Sequence, residues 1–97
     1  KGYGNMATEQ KVLVGKVTKY YSNLGVAEIA VQASDFSVGD RLLITGNATG
    51  GMYLDCKEIR YDLKPVEHAE QGWVVSIPVP EKVRPNDKFF KMVTTKS

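Results

Sequence analysis

The sequence predicts an all-β domain, and three observations carry this prediction. Apolar and polar residues alternate over short runs, as where Met52, Leu54 and Cys56 alternate with Asp55 and Lys57; this is the period of a half-buried strand. Turn-forming glycine, asparagine, aspartate and proline residues separate these runs at short intervals. No segment shows sustained helical periodicity. Within 97 residues, six short strands predict a small closed six-stranded β-barrel of a single domain.

The predicted strands follow one another along the chain, with a turn or a loop between each pair. The apolar alternation of the first strand changes phase at Gly15-Lys16, where we expect a β-bulge. The loop before the third strand ends in Val38-Gly39-Asp40, in which glycine supplies a positive φ and aspartate can bond the turn backbone. The six strands are predicted at Val12–Tyr21, Val26–Val31, Arg41–Thr45, Met52–Tyr61, Trp73–Val79 and Lys88–Val93.

The barrel is predicted to occupy residues 11–93. Residues 1–10 carry two glycines and no periodicity, so we expect a flexible N-terminal segment, and residues 94–97 form a short C-terminal tail. Met6 fits a natural start, in which case the five residues before it are extraneous.

Composition excludes several classes of protein. The 13 basic and 11 acidic residues give a net charge of only +2, which does not by itself indicate a polyanion partner. A single cysteine, Cys56, forbids an internal disulfide and favours a cytoplasmic location; its place in an alternating strand predicts a buried thiol. No apolar run approaches the length needed to span a membrane, so no membrane partner is expected.

No catalytic residue, metal site or cofactor is expected. The glycine-rich segment 46–51 is not followed by the Lys-Ser/Thr pair of a phosphate-binding loop. His68 is the only histidine and lies between Glu67 and Glu70, whereas a catalytic zinc needs three protein ligands. We therefore interpret His68 as a solvated turn residue.

Five segments, in order, resemble the β-barrel that forms the second domain of translational GTPases such as elongation factor Tu. The resemblance covers residues 12–93, and within that group it is nearest to stand-alone translation elongation factor-like proteins of prokaryotes and to the C-terminal barrel of collagenase-like peptidases. It implies a non-catalytic binding module that contacts tRNA or another RNA. The segments are Gly15-Lys16-Val17, Gly25-Val26-Ala27, Val38-Gly39-Asp40, Ala69-Glu70-Gln71-Gly72 and Arg84-Pro85-Asn86-Asp87-Lys88.

Basic and aromatic residues interleave on two of the predicted strands, a composition that suits single-stranded RNA or tRNA. Trp73 is either a core anchor or part of a partner interface. Two other functions stay open: a protein–protein adaptor or structural barrel, and the excised accessory domain of a larger collagenase-like peptidase. The oligomeric state does not follow from the sequence. The candidate nucleic-acid-binding residues are Lys16, Lys19, Tyr20, Lys57, Arg60 and Tyr61.

Overall fold

The computed structural model describes the backbone of residues 7–96 and the side chains of residues 8–94. These residues form strands and no helix, so the all-β class is confirmed, and none of them builds a helix able to cross a membrane. The expectations for residues 1–6 and for Ser97 lie outside the described residues. The strands are β1 Ala7–Tyr21, β2 Val26–Val31, β3 Phe36–Ser37, β4 Arg41–Gly46, β5 Gly50–Asp55, β6 Ile59–Tyr61, β7 Lys64–Val66, β8 His68–Ala69, β9 Val74–Pro78 and β10 Lys88–Lys96.

The strands form one large sheet and one small sheet, and neither closes into a barrel. The eight-stranded sheet has the order β5-β4-β10-β1-β2-β9-β6-β7, and its end strands β5 and β7 do not pair. In the two-stranded sheet, the Val38 N–H extends the pairing of β3 with β8 by donating to the Glu67 carbonyl (2.9 Å), and the Gly39 N–H donates to the carbonyl of Cys56, directly after β5 (2.8 Å). The prediction of a closed six-stranded barrel is therefore not supported.

The predicted fourth strand, Met52–Tyr61, is two strands. After β5, the Cys56 N–H donates to the Asp40 carbonyl at 2.8 Å, which continues the pairing of β5 with the start of β4 by one residue, and residues 56–58 then form no strand. The chain resumes as β6, whose Arg60 pairs with Ser76 of β9. The polar connection expected after β6 contains β7, which pairs with β6 across a two-residue turn, and β8, which pairs with the distant strand β3.

Both sheets enclose a single core. Phe36 of β3 and Phe89 of β10 meet edge to face, with ring centroids 5.1 Å apart and planes at 64°. Leu42 and Ile44 point inward while Arg41 is exposed, as the alternation predicted. Burying one side chain of this size contributes roughly 1.5–3 kcal/mol. The other fully buried side chains of this core include Val14, Val17, Ile29, Val31, Ile59, Val75, Ile77 and Val83.

The turn before β10 is organised by the buried carboxylate of Asp87. One carboxylate oxygen accepts a hydrogen bond from the Arg84 N–H at 3.0 Å and another from the Thr49 hydroxyl. Gly46 leaves the space that this carboxylate occupies, since a side chain there would overlap it. Asp87 thus ties the turn after β4 to the turn before β10, which sets the two strands side by side.

The bulge predicted at Gly15-Lys16 is confirmed. The register of β1 against β10 shifts between Leu13 and Gly15, and Gly15 then pairs with Phe89 on one side and Val31 on the other. A Cβ atom at Gly15 would overlap the backbone carbonyl oxygen of Ala30. Only glycine allows β1 and β2 to approach this closely at the bulge.

Replacing Gly15 by alanine should therefore destabilise the domain strongly. The added methyl group meets backbone rather than a flexible side chain, so β2 must shift, and we expect Gly15→Ala to lower the free energy of unfolding by about 3 kcal/mol. Urea denaturation followed by tryptophan fluorescence measures this. Gly51→Ala is the matched control, since its new methyl group would have only Leu43 within 4.0 Å. Equal stability of the two variants would contradict the role assigned to Gly15.

Candidate functional site

The six candidate nucleic-acid-binding residues do not form one cluster. Lys19 of β1 and Arg60 of β6 lie in one row across the outer face of the sheet, with Glu28 and Ser76 between them. Three strand spacings of about 4.8 Å separate the two backbones by roughly 14 Å. Arg60 is also paired with Glu58, Nε to Oε2, at 2.7 Å. This part of the surface carries both charges.

The three aromatic candidates are parts of the core wall. Tyr20, Tyr61 and Trp73 are partly buried and pack against the core. The rings of Tyr61 and Trp73 stack with centroids 3.9 Å apart and planes 6° apart, so each covers a face of the other that a base would need. Lys57 lies in the loop between β5 and β6, beside Tyr53 and Pro78, away from these rings.

Lys16 belongs to a different surface, on the outer side of β1, β10, β4 and β5. Directly opposite residues of neighbouring strands share a face. The pairs Leu13–Phe90, Phe90–Leu43 and Leu43–Tyr53 therefore make one row across four strands, which we call the aromatic row. Tyr53 is 52% exposed and Leu13 is 45% exposed, whereas Phe90 and Leu43 are largely covered.

Cations flank the aromatic row on both sides. On one side the Lys11 Nζ lies 4.8 Å from the centroid of the Phe90 ring, and the Arg41 guanidinium lies 5.1 Å from that of Tyr53. Arg41 is also 3.5 Å from the Asp55 carboxylate. On the other side Lys16 pairs directly with Lys88. The surface therefore alternates positive, apolar and positive rows, an arrangement that suits an anionic partner with flat apolar groups.

A second polar cluster surrounds His68, where β3 pairs with β8. The Nδ1 atom lies 2.6 Å from the Ser37 hydroxyl oxygen, and Nε2 lies 3.0 Å from a carboxylate oxygen of Asp35. Lys91 Nζ donates to the other oxygen of Asp35 at 3.2 Å. Because an ionised carboxylate only accepts, Nε2 carries the proton donated to Asp35, and Nδ1 of a neutral ring accepts from Ser37.

This cluster contains the residue types of a hydrolase triad, but its geometry differs from that of a triad. In a triad the serine contacts Nε2 and the aspartate contacts Nδ1, and here the two nitrogens are exchanged. Acyl transfer also needs free N–H groups to hold the oxyanion, whereas the amides of Ser37, Val38, Gly39 and Asp40 all have acceptors. The cluster instead links the small sheet to β10 through Lys91, so His68 has a structural role that we did not predict.

The thiol of Cys56 is buried, as predicted. Desolvation raises its pKa to about 12, and the nearby Asp40 carboxylate adds to the shift. A thiol with this pKa is protonated at neutral pH and is a poor nucleophile. Among the described residues, no group of three or more histidine, cysteine, aspartate or glutamate side chains is placed to hold a metal ion.

Sequence comparison finds relatives among peptidases. The chain is 49% identical over 89 residues to a collagenase of Porphyromonas gingivalis, which covers 92% of the chain but only 22% of that protein. It is similar to one segment of bacterial collagenases. An uncharacterized protease of Methanocaldococcus jannaschii is 32% identical over 92 residues, again 22% of its length. The chain thus spans less than a quarter of these relatives. No family model matches it.

The fold is shared with solved structures of a peptidase domain. The C-terminal domain of a putative U32 peptidase from Geobacillus thermoleovorans has a TM-score of 0.78, covering 82% of this chain and 99% of that domain at 18% identity. A second structure of that domain has a TM-score of 0.76. The expected resemblance to the C-terminal domain of collagenase-like peptidases is supported; elongation factor Tu in particular is not.

The Asp35 cluster should make stability depend on acid pH. The hydrogen bond from Lys91 is the main cause that holds the pKa of Asp35 below its ordinary value, and His68 adds to it. A lowered folded pKa means that this stabilisation is complete above the unfolded pKa of about 3.9 and is lost as pH falls through the folded value. Since Asp35 is half exposed, the effect should stay below about 1 kcal/mol. Denaturant unfolding at pH 7 and pH 3 measures it.

Two variants separate this effect from the general loss of stability in acid. Asp35→Asn should be less stable than the parent at pH 7 and should approach it at pH 3. Lys91→Met should behave similarly, because Lys91 supplies the main cause of the shift. A parent and an Asp35→Asn variant that differ by the same amount at both pH values would contradict the assignment.

Proposed function

We propose that this chain is a non-catalytic accessory domain of a collagenase-like peptidase. The supporting observation is the similarity itself: 92% of the chain matches a collagenase, yet the match occupies 22% of that protein. Most of such a relative therefore lies outside the matched segment. The like-folded structure is described as the C-terminal domain of a putative U32 peptidase. The side chains of the His68 cluster link the small sheet to β10, and this structural role agrees with a non-catalytic domain.

The proposal is tested by replacing the matching segment of the Porphyromonas gingivalis collagenase. Three forms are compared: the intact protein, the protein without the segment, and the protein with this chain in its place. Collagen degradation is followed by gel electrophoresis and with labelled gelatin. We expect the deletion to reduce degradation and the replacement to restore at least part of it. The isolated chain should cleave neither substrate.

The glycine variants supply matched controls for this replacement. A replacement that carries Gly15→Ala should fail to restore activity, because the domain is destabilised, while Gly51→Ala should restore it. Cleavage by the isolated chain would overturn the non-catalytic assignment. A deletion that leaves collagen degradation unchanged would show that the domain is not needed for that activity.

RNA binding is a second candidate, favoured by the aromatic row and its flanking cations. Tyr53 offers an exposed ring, with Lys11 and Arg41 on one side of the row and Lys16 and Lys88 on the other. Of the predicted residues only Lys16 lies here, so the candidate surface differs from the predicted one. A single strand laid along the row would place phosphates beside the lysines and bases beside Tyr53.

Fluorescence anisotropy with a labelled single-stranded RNA, and with tRNA, tests this candidate. Binding should weaken steeply with salt, and removing one lysine–phosphate pair should reduce the slope of log K against log salt by about 0.7. Lys88→Gln should produce this reduction, and Tyr53→Ala should weaken binding at every salt concentration. Arg60→Gln is the control away from the row, because Arg60 lies on β6, three strands from β1 in the sheet order. An absence of binding at about 50 mM salt would overturn this candidate.

A further inference from the structure

A polar pocket of about 710 Å³ lies where the turn between β4 and β5 meets the turn before β10. Its volume is within the range of about 300–1,000 Å³ that is usual for small-molecule sites. It adjoins the outer side of the sheet through Thr45 and Lys88, which pair directly. We call it the turn pocket; the polar side chains that line it are those of Thr45, Asn47, Arg84, Asn86, Asp87 and Lys88.

The walls of the turn pocket are fixed by hydrogen bonds. The buried carboxylate of Asp87 accepts from the Arg84 N–H and from the Thr49 hydroxyl, and so it joins the two turns. The Asn86 N–H donates to the Val17 carbonyl at 2.7 Å, and the Val17 N–H donates to the Asp87 carbonyl at 2.8 Å. Because these bonds hold the second turn in place before a ligand arrives, binding requires little ordering of the backbone.

The turn pocket has an excess of positive charge. Arg84 and Lys88 line it, and both residues are exposed. Neither forms an ion pair among residues 8–94. Within the part of the chain that the structure describes, the one carboxylate of the lining is that of Asp87, and the donors of the two turns already engage it. The two cations are therefore free to bind a negative charge that the domain does not supply.

A third cation increases this excess. Lys16 of β1 is the direct cross-strand partner of Lys88 on the outer side of the sheet, and like charges directly opposite each other are destabilising. Lys16 also has no carboxylate partner among the described side chains. An anion bound beside Lys88 would relieve the repulsion between the two lysines, so this pair is a second, independent sign of an anionic ligand.

The charges and the donors select the class of anion. Three cations and one carboxylate leave two positive charges. A phosphate monoester carries a charge of about −1.5 to −2 at pH 7 and balances them, whereas a carboxylate or a phosphodiester carries a single charge and does not. Arginine binds phosphate oxygens through two parallel hydrogen bonds. The side chains of Thr45, Asn47 and Asn86 add neutral donors for the remaining oxygens.

The size of the turn pocket indicates a phosphate that belongs to a larger molecule. A phosphate group fills only a small part of about 710 Å³, which leaves room for the group that carries it. We propose that the turn pocket binds the dianionic phosphate group of a small molecule, with Arg84 and Lys88 as its main contacts. Arg84 lies outside the aromatic row and the ligand is not a polymer, so this inference depends neither on RNA binding nor on the accessory-domain proposal.

Two-dimensional NMR of the ¹⁵N-labelled chain, titrated with ribose 5-phosphate at about 50 mM salt, tests the proposal. We expect a Kd of about 1 mM or tighter, with the shifted amide signals concentrated in the two turns that form the pocket. Ribose lacks the phosphate and should not bind. Dimethyl phosphate has a single charge and should bind about tenfold more weakly. Inorganic phosphate distinguishes the source: weaker binding than ribose 5-phosphate supports an ester as the ligand, and equal binding supports the free dianion.

Charge variants connect the binding to the turn pocket. Arg84→Gln and Lys88→Gln should each weaken the binding of ribose 5-phosphate about tenfold. Arg84→Gln keeps the backbone N–H that bonds Asp87, so its urea unfolding midpoint should match that of the parent. Lys64→Gln removes the same charge from β7, at the opposite end of the sheet order from β5, and should leave binding unchanged. Tyr53→Ala should also leave it unchanged, which separates this site from the aromatic row.

Three results would each overturn the proposal. The first is an absence of binding by both ribose 5-phosphate and inorganic phosphate at up to about 10 mM. The second is binding of ribose as tight as that of ribose 5-phosphate, because the phosphate would then contribute nothing. The third is a Kd that Arg84→Gln and Lys88→Gln change no more than Lys64→Gln does, because the bound anion would then lie elsewhere.

Discussion

The close approach of β1 and β2 at Gly15 is the constraint on which the rest of the fold depends. β1 pairs with β10 on one edge and with β2 on the other, so the halves β5-β4-β10 and β2-β9-β6-β7 are joined through it alone. Its register shifts at Gly15 and again between Val17 and Lys19. Such bulges increase the local twist, and two of them in one long strand bend the sheet around a single core. The pairing of β1 with both of its neighbours therefore runs through a position that tolerates no side chain.

Local chemistry was predictable from the sequence, and distant pairing was not. The left-handed Gly39 and the Asp40 carboxylate that accepts from Ser37 N–H are where the turn pattern placed them. The two-residue strands β3 and β8 have no such signal, because two residues are too short to show a period and their order comes from hydrogen bonds to one another and to neighbouring loops. The same limit explains why the aromatic row was not predicted. Leu13 and Phe90 are neighbours only through the register of β1 with β10, so the aromatic row has no counterpart in any continuous stretch of sequence.

The cluster around His68 shows how reactive residue types can serve a structural need. A two-stranded sheet of two residues each has too few ladder bonds to be stable by itself. Ser37 and His68 add a side-chain bond directly across the pair, and Asp35 connects that bond to Lys91 of the main sheet. The amides that could have served an oxyanion are used to hold the same corner together. The residue types alone are compatible with catalysis or with a structural role. Their geometry favours the structural role, in which they link the two sheets.

The outer side of the large sheet is divided between two unlike surfaces. Near β5, β4 and β10 the apolar row is shielded by cations and its central members, Phe90 and Leu43, are already covered; this part is compatible with exposure to water. Around β2, β9 and β6 the leucines are exposed to solvent. Leu63 has an unfavourable backbone conformation, and burial of its side chain within the domain does not offset that cost. A strained residue persists where something over-determines it. At Leu63 the hairpin itself supplies this constraint, because Tyr61 and Lys64 pair directly on the two sides of the turn and leave only Asp62 and Leu63 to reverse the chain.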